Sequence, residues 1–201
     1  ADRARVVEVD REQGQYLGHV STILLADGRT ILAAYPKGHG KGPIQLKRST
    51  DGGRTWGPRL PVPENWATSL ETPTLHRVVD AQGHRRLIVW SGLWPARLSV
   101  SEDNGSTWSP LKAVGDWGGI VVMGSVEPVR HRNGHYLAWF HDDGRYISQD
   151  AKASNPVVFR LYQTRSEDGG LTWSRPRVLW SDSESHLCEP GAIRSPDGNT
   201  L

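Results

Sequence analysis

An eight-residue sequence recurs three times along this chain, as STDGGRTW at 49–56, SEDNGSTW at 101–108 and SEDGGLTW at 166–173. The copies share the pattern S-x-D-[GN]-G-x-T-W, and their first residues lie 52 and 65 positions apart. In such a pattern the aspartate carboxylate accepts backbone N–H groups across a tight turn, and the second glycine allows a positive φ. The final tryptophan is expected to pack into the groove beside a neighbouring sheet. We call these turns the boxes, and we predict a structural role for their aspartates Asp51, Asp103 and Asp168.

Between the boxes, alternating apolar runs flank short turn signals, which is the pattern of strand, tight turn and strand. Together with the boxes, this gives units of four antiparallel strands. The units are predicted at about 17–63, 70–115 and 124–180, and a fourth begins at 187–201. Units of this kind indicate an all-β fold, a β-propeller of four-stranded antiparallel blades. Residues 1–201 are then the N-terminal part of a single propeller domain.

The composition excludes several classes of function. The 24 basic and 22 acidic residues give a net charge of +2, which provides no electrostatic reason to bind nucleic acid or a membrane surface. The longest apolar runs are too short to span a bilayer. One cysteine, Cys188, allows neither an internal disulfide nor a multi-cysteine zinc site. The histidines fall around turns, and no phosphate-binding or nucleophile motif is present, so neither a metal nor a cofactor is predicted.

Strand direction predicts which face of the fold carries chemistry. Because antiparallel strands alternate in direction, the boxes and the turns after each first strand share one face. The starts of the first strands and the loops after each second strand share the other. Aligning the units on their first turns places His19 nine residues before Gly28 and Glu189 nine residues before Gly198. The predicted ring of ionisable side chains is His19, Glu71, Glu127 and Glu189. Such a ring would suit acid–base chemistry on a sugar, or else its members bond backbone groups between blades.

The loops on that face carry further candidates. Loop one, YPKGHGKGP, is flexible and basic, and it offers His39 as a proton-transfer group. Loop two, SGLWPARL, offers an aromatic platform for a sugar and an arginine for a carboxylate. Loop three, HDDGRYISQDAKASNPVV, is long, as functional loops often are, although its first residues are also typical of a turn. The predicted substrate contacts are Lys41, Trp94, Arg97, Asp142 and Arg145.

The boxes resemble the Asp-box of the sialidase (neuraminidase) superfamily, and CEPGAIRSPDGNTL resembles the segment that follows the middle Asp-boxes in bacterial sialidase-like glycoside hydrolases. The resemblance covers nearly the whole chain. It implies a six-bladed propeller, of which about three and a half blades are present. It also implies a carbohydrate substrate and a secreted or periplasmic enzyme. The two further arginines and the tyrosine nucleophile of the family would then lie beyond Leu201, in the remaining blades of a longer chain.

The resemblance holds at one catalytic position and breaks at two. Glu189 matches the glutamate that activates the family's tyrosine nucleophile. His19 stands where the first arginine is expected, and loop one has no carboxylate where the family has its acid–base aspartate. His39 or His19 would then replace that acid, or Asp142 or Asp143 would reach in from loop three. The sequence therefore predicts an exo-acting glycan hydrolase for an acidic or other terminal sugar, with non-standard acid–base residues.

Two alternatives stay open on the sequence. A polysaccharide lyase would abstract the proton beside a uronate carboxylate with His19 and neutralise that carboxylate with Lys41 and Arg97. A non-catalytic propeller would bind glycan or protein through Trp94 and Trp117. On either reading, the chain by itself is expected to be inactive and poorly soluble, because an open propeller exposes a sheet edge.

Overall fold

The computed structural model describes residues 6–149 and 158–201, apart from the side chains at positions 122 and 123. Within these residues the chain forms eleven β-strands in three antiparallel sheets, and its helical structure is one 3-10 turn, Glu64–Thr68. The prediction of an all-β fold is confirmed. The described part contains no helix with the length and apolar character needed to cross a membrane. The middle of loop three, 150–157, lies outside the described residues.

Sheet one contains β1 (Ser21–Leu24), β2 (Ile31–Pro36) and β3 (Ile44–Ser49), in that order. The chain after the first box runs back beside β3, where the amides of Gly57 and Leu60 donate to β3 carbonyls at 2.9 and 2.8 Å. The fourth strand predicted for this unit is therefore present as a segment with two backbone hydrogen bonds rather than as a regular strand.

Sheet two contains β4 (Thr74–Val79), β5 (Arg85–Ser91), β6 (Arg97–Ser101) and β7 (Lys112–Ala113), again in sequence order. Successive residues of β5 face opposite sides of the sheet, as the pleat of a strand requires. Leu87 and Val89 join a core shared with sheet one, whereas Ile88 and Trp90 join a core shared with sheet three. Sheet two is thus buried on both faces, which explains the unbroken apolar run in β5.

Sheet three contains β8 (Ile120–Pro128), β9 (Tyr136–Asp142), β10 (Arg160–Ser166) and β11 (Arg177–Ser181). Its order is also sequential, from β8 to β11. The sheet begins at residue 120, four positions before the predicted start of the third unit at about 124. This earlier start changes where one predicted site residue lies, as described below.

The first strands of the three sheets lie side by side, because β1 contacts β4 and β4 contacts β8. The Leu75 amide of β4 donates to the Ser21 hydroxyl of β1 at 2.9 Å. The Ala192 amide donates in the same way to the Ser125 hydroxyl of β8, also at 2.9 Å. The segment around Ala192 therefore bonds to the first strand of sheet three in the same way that β4 bonds to the first strand of sheet one. Closure of such units into a six-bladed propeller stays a prediction.

Candidate active site

The boxes and the first turns lie on one face of the fold, which we call the box face. The Gly52 amide of the first box donates to the Arg29 carbonyl in the first turn of sheet one at 2.9 Å. The Gly169 amide of the third box donates to the Gly134 carbonyl in the first turn of sheet three at 2.8 Å. The predicted pairing of boxes with first turns is confirmed. The opposite face, which carries the loops after β2, β5 and β9, is the site face.

Each box is held by its own aspartate. In the second box, Asp103 Oδ1 accepts the amides of Ser106 and Thr107 at 3.0 and 2.8 Å, and Oδ2 accepts the Thr107 hydroxyl at 2.6 Å. Hydrogen bonds from Thr107 lower the pKa of Asp103 to about 2. Thr55 and Thr172 make the same pair of bonds in the other boxes. The second glycines Gly53, Gly105 and Gly170 have φ of 85°, 79° and 83°, as the turn requires.

Two predicted catalytic histidines meet on the site face. His19 precedes β1, and its ring centroid lies 4.7 Å from that of His39 in loop one, in an edge-on arrangement. Tyr16 completes the cluster, with its ring 5.5 Å from His39 and 6.5 Å from His19. The base of loop one is fixed by an ion pair between Lys37 Nζ and Glu12 Oε1 at 2.7 Å.

Glu71 lies beside this cluster, just before β4, and is 8% exposed. Its Oε1 accepts the Thr72 amide at 2.7 Å. A side-chain carbon at Gly40 of loop one would lie only 3.6 Å from that oxygen, so the loop backbone passes close to the carboxyl group. Burial raises the pKa of Glu71, against the opposing effects of the Thr72 hydrogen bond and the charges of Arg145 and His39. Glu71 is therefore a buried carboxyl group that holds its proton more tightly than usual.

Loop three brings a cation and a phenol to the same place. The Arg145 guanidinium donates from Nε to both carboxylate oxygens of Asp143 at 2.7 and 2.8 Å. Its central carbon lies 4.9 Å from the centre of the Tyr146 ring. Burial raises the pKa of Tyr146, Arg145 lowers it, and the charge of Glu71 is among the groups that raise it. The cation and the phenol are thus held together at the start of loop three.

Glu189, which the sequence also predicts to be catalytic, lies at the edge of sheet three. Its amide donates to Nδ1 of His141 at 3.2 Å, and His141 is buried at the end of β9. Glu189 and His19, which the sequence aligned, both have φ of 51°. The left-handed backbone is uncommon for residues other than glycine, so its recurrence supports the alignment. The His141 ring also packs against Phe159, with centroids 5.6 Å apart.

Glu127 lies apart from these residues. It is the second-last residue of β8, opposite Leu137, and close to the turn that leads to the box face. The sequence placed Glu127 at the start of its strand because the unit was expected to begin near 124. Since β8 begins at Ile120, the same residue lies at the other end of the strand. Burial raises the pKa of Glu127, and the charge of Arg194 opposes that shift.

The remaining predicted contacts are distributed around the site face. Trp94 follows β5 and is 45% exposed, as a stacking platform must be. Lys41 is exposed in loop one. Arg97 uses its guanidinium to donate to the hydroxyl and carbonyl oxygens of Thr68 at 2.7 and 2.8 Å, so it holds the 3-10 turn in place. Asp142 is fully buried beneath loop three. No group of three or more metal-binding side chains occurs in the part of the chain that the structure describes.

Sequence reasoning missed Tyr16, and it treated Tyr146 and His141 only as candidate residues of loop three. Tyr16 stands in a segment that has no strand periodicity, so no pattern placed it beside His39. Tyr146 was visible only as one residue of a long loop. His141 is the second-last residue of β9, and its acceptor role for Glu189 depends on a contact between residues 48 positions apart in the chain. For Glu71, the sequence signal was its position just before a predicted first strand.

Neither a known protein family nor a curated protein matches this sequence. Solved structures resemble it in fold. An endo-arabinase from Bacteroides thetaiotaomicron is 15% identical with a TM-score of 0.53, and the match covers 83% of this chain and 57% of that one. The catalytic domain of the GH62 alpha-L-arabinofuranosidase of Coprinopsis cinerea is 16% identical with a TM-score of 0.51, and the match covers 88% and 55%. A Hadza microbial sialidase is 16% identical with a TM-score of 0.49, over 80% and 38%.

These similarities concern the fold. This chain spans between about a third and three fifths of the length of the structures that it matches. The shared feature is the antiparallel all-β architecture.

Proposed function

We propose that this chain forms part of the active-site face of a glycan hydrolase that acts on an acidic or other terminal sugar. One observation carries the proposal: Glu71, a carboxyl group that is 8% exposed, lies against loop one, where a side-chain carbon at Gly40 would be 3.6 Å from its Oε1. Glycoside hydrolysis needs a carboxylic acid that keeps its proton until it passes that proton to the leaving oxygen. A carboxyl group whose pKa is raised by burial suits this role. Glu71 is accordingly our candidate for the general acid.

The surrounding groups suit the binding of a sugar. The exposed Lys41 supplies a cation on the site face, and Arg145 supplies a guanidinium that is paired with Asp143, so this face can bind a sugar that carries a carboxylate. Trp94 supplies an exposed aromatic surface on the same face. Glu189, held through its amide by His141, is the candidate for the second carboxylate. In the finer, sialidase-like form of the proposal, Glu189 would activate a nucleophile.

Two of the structures with a similar fold are named as an endo-arabinase and an alpha-L-arabinofuranosidase, and both names describe enzymes that cleave glycans. This likeness supports a hydrolase on this fold. It also extends the substrates worth testing from acidic sugars to arabinose-containing ones.

The experiment is a panel of aryl arabinofuranosides, sialosides and glucuronides, assayed with the intact protein and with Glu71→Gln. Glutamine keeps the shape of the side chain but has no proton to donate, so kcat should fall about 10²- to 10⁴-fold. The matched control is Glu102→Gln, an exposed box-face residue that pairs with Arg86 at 2.9 Å, which should leave kcat unchanged. In the wild type, kcat/KM should fall as the pH rises through the raised pKa of Glu71, and this limb should vanish in Glu71→Gln.

Three outcomes decide between the functions. Hydrolysis that depends on Glu71 supports the proposal. A product that absorbs in the near ultraviolet identifies a lyase, for which the exposed Lys41 is an available cation, since Arg97 is bonded to Thr68 and Arg145 to Asp143. Binding of oligosaccharides without turnover, lost in Trp94→Ala, identifies a binding propeller and refutes the hydrolase.

A further inference from the structure

Asp142, the last residue of β9, is fully buried directly beneath the turn of loop three. Its Oδ2 accepts the amides of Gly144, Tyr146 and Ile147 at 3.1, 3.2 and 3.2 Å. Its Oδ1 is buried and has no hydrogen-bond partner among the residues that the structure describes. One carboxylate oxygen therefore gathers three backbone amides, and no substrate could reach it without opening the loop.

These three bonds fix the turn that carries Arg145 and Tyr146. The backbone of the turn is held by Asp142, and the Arg145 guanidinium is held in turn by Asp143. The charge of Arg145 acts on Glu71, and the charge of Glu71 acts on Tyr146. Burial is the main cause of the raised pKa of Glu71, and the position of the turn affects that pKa through Arg145.

We propose that Asp142 is a positioning residue of the candidate active site, whose carboxylate fixes the 143–147 turn that carries Arg145 and Tyr146. The sequence suggested a substrate contact at Asp142; its burial gives it an indirect role instead. The catalytic consequence of this inference rests on the proposed function. The structural consequence rests on the hydrogen bonds alone, so the two are tested separately.

The test compares three variants of the intact protein. Asp142→Ala removes all three acceptor bonds. Asp142→Asn keeps a carbonyl oxygen at Oδ2 and replaces only Oδ1, which bonds no described residue, so it should restore the turn. Asp103→Ala is the matched control, because Asp103 also accepts two backbone amides, but in a box on the opposite face. It separates a general loss of stability from a local loss of position.

Three measurements are made on each variant. Hydrogen exchange of the Gly144, Tyr146 and Ile147 amides should speed up at least about 10-fold in Asp142→Ala and stay near the wild-type rate in Asp142→Asn. The pKa of Glu71, followed by carboxyl NMR, should rise in Asp142→Ala, because the displaced Arg145 no longer lowers it. With a substrate from the panel, kcat should fall about 10- to 100-fold in Asp142→Ala, with a smaller change in KM. Asp103→Ala should change none of the three.

The positioning role is overturned if exchange and the pKa of Glu71 in Asp142→Ala match those of Asp103→Ala, or if Asp142→Asn fails to restore them. These two readouts need no substrate. If the wild type hydrolyses nothing in the panel while exchange and the pKa of Glu71 respond as expected, the proposed function fails and the positioning role stands.

Discussion

His141 connects the stability of sheet three to the position of Glu189, and it should make the protein sensitive to acid. Burial lowers the pKa of His141 from its ordinary 6.5 to about 4, although the nearby Asp143 carboxylate opposes the shift. Above the ordinary pKa, both the folded and the unfolded states are neutral at this residue. Between 6.5 and about 4, only the unfolded state binds the proton, so the stability contributed by the neutral side chain is lost as the pH falls.

The size of the effect follows from the shift. The free energy of unfolding should fall by about 1.4 kcal/mol for each pH unit in this window, hence by about 2 kcal/mol between pH 6.5 and about pH 5. The test is His141→Asn, measured by urea unfolding at both pH values. Asparagine keeps an acceptor for the Glu189 amide but does not titrate, so the variant should lose about 2 kcal/mol less on acidification than the wild type.

The matched control is His131→Asn, because His131 is exposed in a turn and its φ of 60° suits asparagine. This variant should keep the acid dependence of the wild type. Equal losses of stability on acidification in the wild type and His141→Asn would refute the argument, since burial of a neutral imidazole at this position would then not set the pH dependence.

Two further predictions concern the contacts that hold the sheets. Trp173→Ala should lower the free energy of unfolding by about 3–5 kcal/mol, because the Trp173 ring is 6% exposed and its centroid lies 5.0 Å from that of Trp90. Trp180→Ala should lower it by less than about 0.5 kcal/mol, because Trp180 is 61% exposed. Urea unfolding measures both, and equal effects would contradict this packing. Arg97→Ala should cost about 1–2 kcal/mol through the two lost bonds to Thr68, and thermal unfolding should show that Arg97→Lys restores little of it.

The sequence predicts the box face better than the site face, for a physical reason. The side-chain hydrogen bonds that close a box join residues at most a few positions apart, such as Ser101, Asp103 and Thr107, so the eight-residue pattern contains the turn itself. The packing of the box tryptophan on the preceding sheet also follows, as Trp173 against Trp90 shows. The structure of a box can therefore be inferred from the repeated eight-residue pattern alone.

The site face is built from contacts between distant segments, which no local pattern contains. The alignment of first turns related His19 to Glu189 correctly, and their equal φ reflects that relation. The same alignment did not locate Glu127, because the length of β8 depends on pairing with β9 rather than on its own sequence. Glu71 belonged to the predicted ring, but its burial against Gly40 of loop one depends on a contact between separate segments of the chain.

Both faces carry carboxyl groups, but the pKa of Asp103 on the box face and that of Glu71 on the site face shift in opposite directions. In the second box, Asp103 accepts a hydroxyl and two amides at the surface, and its pKa falls to about 2, so it stays charged and cannot exchange a proton near neutral pH. On the site face, burial outweighs the hydrogen bonds, and the pKa values of Glu71 and Asp142 both rise. A carboxyl group becomes useful as an acid only where water is excluded and few donors compensate its charge. That condition separates Glu71 from the turn aspartates more sharply than any sequence motif does, and it is why Glu71 rather than a box aspartate is the proposed general acid.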